Sequence, residues 1–356
     1  TTWTYDTSPV KGIGKLHMVD MTGGYRETLE YDSLGRGKKL IRRIDGIDYA
    51  TETAYDSFSR PVRTVYPDTG IGSGPISTRT VYNNRGYVKE VRAWLDSDTG
   101  KEPSQMQGSL YWAADSYHVS GRIDGFSLGN GVSADNVYSS ATARLLSANV
   151  ELARIVGGPY QIQQLNYTYD GLGNVVSRID SAINRSEYFY QSTPGDGYDG
   201  LDRLKVHRVQ GGSTVTLTYD QKGNITNKSD VGGYAYGGSR PYAVTGAGSF
   251  NDYAYDGNGN MTSGSGRSIF WSTFNQVRAV ASNPSGGIRK SSEFFCGASR
   301  ERVKHVRKTG VSTNVSGIVG GDIVDTTIYV GALYEKVTPA TGPVEHKHYI
   351  WPRPVG

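Results

Sequence analysis

Apolar and polar residues alternate along this chain in short runs. Each run stops at a turn, and the alternation then begins again. Tyr253-Ala254-Tyr255 is one such run. A strand sends successive side chains to opposite faces, so both rings lie on one face. In six runs the residue two before the closing tyrosine is Trp3, Leu29, Thr53, Tyr167, Leu217 or Tyr253, on the same face as that tyrosine. The runs that follow the turns are rich in β-branched residues: Val62 and Val65, Val175-Val176, Ile225-Thr226. Such residues fit a pleated, half-buried surface. Period two, a turn, and period two again predict antiparallel hairpins. Over residues 141–150 the Ala and Leu content favours a helix, but no cap or stop frames one, and the neighbouring strands predict a strand there.

The turns themselves repeat. In Tyr255-Asp256-Gly257-Asn258-Gly259-Asn260, Asp256 can accept a hydrogen bond from the N–H two residues on, forming an Asx-turn. Gly259 can take positive φ without steric cost, and Asn260 tolerates it. The same unit stands at Tyr31-Asp32-Ser33-Leu34-Gly35-Arg36, Tyr55-Asp56-Ser57-Phe58-Ser59-Arg60, Tyr169-Asp170-Gly171-Leu172-Gly173-Asn174, Tyr198-Asp199-Gly200-Leu201-Asp202-Arg203 and Tyr219-Asp220-Gln221-Lys222-Gly223-Asn224. A degraded copy is Tyr82-Asn83-Asn84-Arg85-Gly86, and Tyr5-Asp6 begins the series. The tyrosine-to-tyrosine steps are 26, 24 and 27 residues at first, then 29, 21 and 36 from Tyr169. A period of this size marks a stacked or wound array. The longest step predicts an extra hairpin at Tyr234-Ala235-Tyr236-Gly237-Gly238. The chain thus reads as one array over 1–356: first repeats in 1–100, divergent ones in 101–165, clear ones in 166–280. In 281–356, strands are expected at 293–308, 323–338 and 345–351.

The Tyr-Asp-x-x-Gly-Asn/Arg spacing resembles the YD-repeat, or Rhs-repeat, family of polymorphic toxins, relatives of the C-subunit of insecticidal toxin complexes and of teneurin shells. Gly129-Asn130-Gly131, Trp271-Ser272-Thr273-Phe274-Asn275 and Tyr329-Val330-Gly331-Ala332-Leu333-Tyr334-Glu335 add to the likeness, which covers nearly the whole chain. It implies an all-β fold: a long antiparallel hairpin strip wound as a spiral, shell- or barrel-like wall around a hollow chamber. It implies a structural role, enclosing and helping to deliver a toxic C-terminal domain. The partners implied are the remaining shell segments and that toxin, within one polypeptide. The setting implied is a bacterial protein, secreted or delivered by a secretion system and acting outside the cell. Family members carry an aspartate self-cleavage motif with Asp-Pro beyond the repeats. This chain has no Asp-Pro pair, so neither that site nor a toxin is placed on any residue here. A start inside a repeat, without Met or a signal pattern, is expected of a piece of a longer polypeptide.

Composition fits a thinly cored sheet. Leu, Ile, Val and Phe total 73 of 356 residues, close to the level where a globular core becomes doubtful. The net charge of +4 argues against a charge-swollen disordered chain. Tyrosine, with 26 copies, supplies an apolar body and a polar tip, which suits a sheet with wet faces. A hairpin strip twists and must curl, stack or close to hide its edges. The 38 basic residues barely exceed the 34 acidic ones, without the stripe of a nucleic-acid binder. The densest basic run puts Arg302, Lys304, Val306 and Lys308 on one strand face, expected to be solvated. No apolar run reaches the length of a transmembrane helix. Cys296 is the single cysteine and reads as a small hydrophobe.

Several motifs mimic active sites. Gly195-Asp196-Gly197-Tyr198-Asp199-Gly200 fits G-x-G-x-x-G, but strand-like Leu201-Asp202-Arg203-Leu204 follows where a helix N-terminus is needed to hold phosphate. Asp68-Thr69-Gly70 and Asp98-Thr99-Gly100 look like aspartic-protease signatures, yet Pro67 and Ser97 precede them, and both read as turns. Asp256, Asn258 and Asn260 match the first ligands of a calcium loop, but Met261 and Arg267 stand where Gly and Glu are required. His346 and His348 share a strand face with no third ligand, which predicts an exposed edge. The expectation is no catalytic residue, no cofactor and no metal, with the turn residues as the structural site. An alternative is a carbohydrate-binding or adhesion module: Tyr and Trp beside Asn and Asp on a β surface suit sugars, which would make cell-surface glycans a partner.

Overall fold

The computed structural model describes residues 1–72, 74–98, 101, 105–153, 158–282 and 288–351. The chain is all-β. Among the described residues helical structure is confined to 3-10 turns, Asp96–Asp98 and at Gln105. The strands pair antiparallel and mostly with their neighbours in sequence, as the hairpin pattern predicts. Tyr25–Tyr31 pairs with Gly37–Ile44, which pairs with Ile47–Tyr55, which pairs with Pro61–Val65. Residues 141–144 form a turn that leads into the strand Leu145–Leu152. Helix-favouring composition gives way there because Val132–Tyr138 and Tyr160–Tyr169 pair along both of its edges. The extra hairpin is present: Gly232–Ala235 pairs with Ile225–Lys228 and with Gly246–Ala247. The stretch 293–308 holds two strands, Lys290–Cys296 and Arg302–Thr309, joined by a turn without the Tyr-Asp signature.

The chain forms two compact units, Thr1–Tyr111 with Asp256–Gly356, and Trp112–Tyr255. The first unit has a core built by strands far apart in sequence. Tyr25, Ile44, Tyr49 and Tyr66 meet Val303, Ile328, Val330, Leu333 and Tyr334. The Tyr329-to-Glu335 motif supplies three of its buried residues, Val330, Leu333 and Tyr334. Val330 ends the strand Asp322–Val330, Tyr334 opens Tyr334–Pro339, and both are almost wholly buried. The Tyr49 and Tyr334 rings lie 6.1 Å apart, and the Tyr66 hydroxyl donates to the Tyr349 carbonyl at 3.1 Å. Burial pushes the Tyr334 hydroxyl up to about 12. The second unit is thinner. Its buried apolar residues are small or scattered, Ala134, Val176, Val206, Val215 and Ala247 among them, with Trp112 stacked on Phe126 at 6.2 Å.

The basic run departs from the solvated face expected for it. Val303 and Val306 are buried, Lys304 pairs with Asp45 at 2.8 Å, and Lys308 pairs with Glu293 at 2.7 Å. Arg302 covers the Phe294 ring at 4.1 Å. The reason is that this strand has neighbours on both edges, Lys290–Cys296 and Asp322–Val330, so its side chains are flanked rather than free.

Candidate functional site: a row of capped turns

Each repeat turn is built the same way. The Asp32 N–H donates to the Arg36 carbonyl at 2.9 Å, and the Gly35 N–H donates to the Asp32 carbonyl at 2.9 Å. This is a tight turn followed by one left-handed residue, the three-residue hairpin with a bulge. The left-handed position holds Gly35 (φ 80°), Gly173 (φ 101°), Gly223 (φ 89°) and Gly259 (φ 92°), where a β-carbon would be strained. Ser59 and Asp202 occupy it in their copies, at φ 63° and 58°. Asn260, expected to tolerate positive φ, does not adopt it. The fifth residue takes the left-handed conformation, and the sixth re-enters extended backbone with its side chain engaged. Ladder register slips by one residue at the closing tyrosines Tyr31, Tyr55, Tyr82, Tyr169 and Tyr219, for example between Glu30 and Tyr31. Such bulges bend the strand and re-aim a side chain.

The aspartate is the cap. Asp32 Oδ1 accepts from the Leu34 N–H at 3.0 Å and the Arg36 N–H at 2.9 Å, and its Oδ2 accepts from Arg36 Nε at 2.7 Å. Asp56 does the same with Phe58 and Arg60, and Asp199 with Leu201 and Arg203. Where the sixth residue is Asn, its amide replaces the guanidinium. Asn174, Asn224 and Asn260 donate to Asp170, Asp220 and Asp256 at 3.0, 2.9 and 2.9 Å. The Asn260 amide and the turn N–H groups hold the Asp256 carboxyl below the usual range, against the upward push of desolvation. Its oxygens are thus occupied by the turn itself, which explains the likeness to a calcium loop without its chemistry.

The tyrosine is the staple. Its hydroxyl donates to the first backbone carbonyls beyond the preceding turn: Tyr31 to Leu16 at 2.5 Å, Tyr55 to Gly37 at 2.8 Å, and Tyr82 to Pro61 at 2.8 Å. In the second unit Tyr169 donates to Leu145, Tyr198 to Val175 and Tyr219 to Leu204, each at 2.7 Å, and Tyr255 to Val244 at 2.9 Å. In the first unit Trp271 takes the same role through its indole N–H, 2.7 Å from the Met261 carbonyl.

The sixth residue also reaches the next turn. Arg36 lies over the Tyr55 ring at 4.6 Å and donates to the Asp56 carbonyl at 3.3 Å and to Ser59 Oγ at 3.1 Å. Arg60 lies over Tyr82 at 4.4 Å, and Arg203 over Tyr219 at 4.6 Å. Asn174 reaches Asp202, Asn224 reaches the Pro241 carbonyl, and Asn260 reaches Asn275, at 3.0, 3.0 and 2.8 Å. Cap, staple and cross-link therefore join successive turns within each unit.

The same frame recurs where the tyrosine–aspartate signal is missing. Tyr117-His118-Val119-Ser120-Gly121-Arg122 closes as a turn of this design with left-handed Gly121, and Tyr138-Ser139-Ser140-Ala141-Thr142-Ala143-Arg144 closes as a turn one residue longer with left-handed Ala143. Their arginines continue the row: Arg122 Nη1 donates to the Ala143 carbonyl at 2.6 Å, and Arg144 Nη2 to the Leu172 carbonyl at 3.2 Å. A readable signal remained in the closing Arg and the spacing of Tyr117 and Tyr138, once Asp is not demanded.

The motifs that mimic active sites are turns or packed pairs. Asp196 accepts the N–H groups of Gln191, Ser192 and Thr193, and no helix follows. Asp68 Oδ1 accepts the Gly70 N–H at 2.9 Å in an Asx-turn. Of the second signature, Thr99 and Gly100 lie outside the described residues, as do residues 352–356. His346 and His348 are not the exposed edge that was expected. His346 Nδ1 hydrogen-bonds the Tyr334 hydroxyl at 2.6 Å, and the His348 ring sits 5.7 Å from Tyr66 and 5.2 Å from Tyr334. Aromatic side chains of the first-unit core draw both rings inward. Cys296 is half-buried, and desolvation pushes its thiol up. Among the described residues no cluster of His, Cys, Asp and Glu could hold a metal, and no helix is long and apolar enough to cross a membrane.

No family model matches the chain, and no curated protein matches it. Solved structures do. The chain is similar to the crystal structure of TcdB2-TccC3-Cdc42, with a TM-score of 0.64 at 14% identity, over 91% of this chain and 17% of that one. The fold resembles the Tc toxin shell. TcdB2-TccC3 itself gives a TM-score of 0.61 at 14% identity, over 93% of this chain and 18% of that one. The Photorhabdus luminescens Tc holotoxin pore carrying a TccC3 mutation gives 0.59 at 14% identity, over 92% and 17%. The chain therefore spans under a fifth of the length of these relatives. At this identity the likeness concerns the fold.

Proposed function

We propose that this chain is one stretch of the wall of a toxin-enclosing shell, completed by further shell segments of the same polypeptide, and that its turn residues stiffen that wall. The observation that carries this reading is the exposed surface. The chain exposes 20384 Å², whereas two compact units of these sizes, taken separately, would together expose about 17,000 Å². A chain that buries so little per residue draws only part of its order from the first-unit core. The capped, stapled and cross-linked turns supply order by hydrogen bonds instead. On this reading the chain has no catalytic part, the cargo is a toxic domain of the same polypeptide, and the assembly works outside the producing cell after secretion.

The carbohydrate-binding alternative gains little. The repeat tyrosines give their hydroxyls to backbone carbonyls, and Arg36, Arg60 and Arg203 cover ring faces that a sugar would need.

The test is protection of a cargo. The native polypeptide that carries this chain is captured with an antibody to it, treated with protease, and then denatured. A segment free of the repeat that survives protease until denaturation supports the shell. Digestion of all such segments under native conditions overturns it.

A further inference from the structure

One turn of the row is capped by an imidazole instead of a carboxylate. In Tyr117–Arg122 the backbone frame is that of the aspartate turns. The His118 N–H donates to the Arg122 carbonyl at 2.8 Å, and the Gly121 N–H to the His118 carbonyl at 2.9 Å. The cap differs. The Ser120 N–H points at His118 Nδ1 at 3.2 Å, and Ser120 Oγ lies 2.8 Å from the same nitrogen. A backbone N–H can only donate, so this contact calls for a lone pair on Nδ1 and the proton on Nε2, while the Ser120 hydroxyl can either donate to Nδ1 or accept from it.

The groups facing this ring are few. From its own turn they are Ser120 and Arg122. From the strand Val132–Tyr138 it is Tyr138, whose ring lies 5.6 Å from the imidazole and 5.4 Å from the Arg122 guanidinium. Among the described residues no carboxylate pairs with the imidazole. In the aspartate turns a negative cap faces Arg36, Arg60 or Arg203, whereas here a neutral ring shares Tyr138 with Arg122.

We propose that Tyr117–Arg122 is an acid-sensitive turn, a built-in weak point that loosens when the medium becomes mildly acidic while the aspartate-capped turns stay closed. A proton on Nδ1 turns an acceptor into a donor. The new Nδ1–H turns to Ser120 Oγ, the Ser120 N–H loses its partner, and an imidazolium then stands beside Arg122 on one aromatic ring. Imidazoles change charge between pH 5 and 8, whereas carboxylates held by hydrogen bonds stay ionised throughout that range. The loosening reaches the next turn through Arg122, whose Nη1 holds the Ala143 carbonyl.

The test is amide hydrogen exchange of the full chain at pH 7.5 and 5.0, corrected for the intrinsic exchange rate. Protection at Ser120 is expected to fall about tenfold at pH 5.0, the loss of one capping hydrogen bond. Protection at Leu34, Leu172 and Leu201 is expected to hold. The His118→Asp variant copies the other turns and is expected to stay protected at both values, and His118→Ala to be weak at both. Unchanged protection at Ser120 in the parent chain, or an equal loss in His118→Asp, overturns the proposal. Nitrogen NMR of the imidazole gives an independent check: a ring carrying its proton on Nδ1 at pH 7.5 also overturns it.

Discussion

Replacing Asp56 tests whether the aspartate caps carry stability. Asp56 is the acceptor for the Phe58 N–H at 2.9 Å, the Arg60 N–H at 2.9 Å and Arg60 Nε at 2.8 Å, and its side chain is largely shielded from solvent. Asp56→Asn keeps an Oδ1 acceptor for both N–H groups and loses the charge facing Arg60. The chain already holds that arrangement at Asn83, whose Oδ1 accepts from the Arg85 and Tyr87 N–H groups at 3.0 Å. A partly shielded pair of this kind contributes about 1 kcal/mol. Asp56→Ala loses all three bonds. It also frees Arg60, which covers the Phe58 and Tyr82 rings. The expected cost is about 2–3 kcal/mol, in the upper range for losing a cap. The assay is urea unfolding of the full chain, read with a probe in the first unit because two units need not unfold together. The pH dependence has a fixed sign. Desolvation pushes the Asp56 carboxyl up, but hydrogen bonds and charge from Arg60 and the Phe58 N–H outweigh it and hold it below its usual value. A depressed carboxylate stabilises above its unfolded pKa, about 3.9, and loses that contribution as pH falls through the folded value. The penalty of Asp56→Ala should therefore be full at pH 7 and shrink towards pH 3. Equal stabilities of the Asn and Ala variants at pH 7, or a penalty independent of pH, would refute the capping account.

Other substitutions probe the remaining parts. Tyr219→Phe removes the hydroxyl that donates to the Leu204 carbonyl and keeps the ring under Arg203; a loss of about 1 kcal/mol in second-unit stability is expected, and no loss would remove the staple from the account. Gly197→Ala drives a β-carbon into the Phe189 carbonyl, so the backbone must move; calorimetry should show a cost of about 3 kcal/mol or more, far above that of Gly200→Ala, where nothing lies within 4 Å. His348 is pushed down by burial and by His346, against a backbone hydrogen bond at Pro67. The unfolded state therefore binds its proton first, and first-unit stability should decline as pH falls below about 6.5. His348→Phe should make that decline shallower in melting experiments at pH 7.5 and 5.5, the remainder coming from His305 and His346, which burial also pushes down.

The architecture was legible because it is local. Period-two runs closed by Tyr-Asp turns specify hairpins, and the Asx cap follows from the chemistry of one aspartate. The contacts between turns were hidden. That Arg36 would cross to Tyr55, or that the Tyr55 hydroxyl would seek the Gly37 carbonyl, depends on how a bulge aims each side chain after the strands pair. The His118 and Ser139 turns lack the tyrosine–aspartate signature because another acceptor fills the aspartate position. His346 and His348 were misplaced because their burial is set by Tyr66 and Tyr334, and Tyr66 stands far away in sequence.

Small-angle scattering of the purified chain tests the central claim most directly. A filled domain of this length has a radius of gyration of about 20 Å. The account predicts a clearly larger value, with a folded profile and a distance distribution weighted to long vectors, as a thin wall requires. A radius near 20 Å would contradict it and identify a filled β domain.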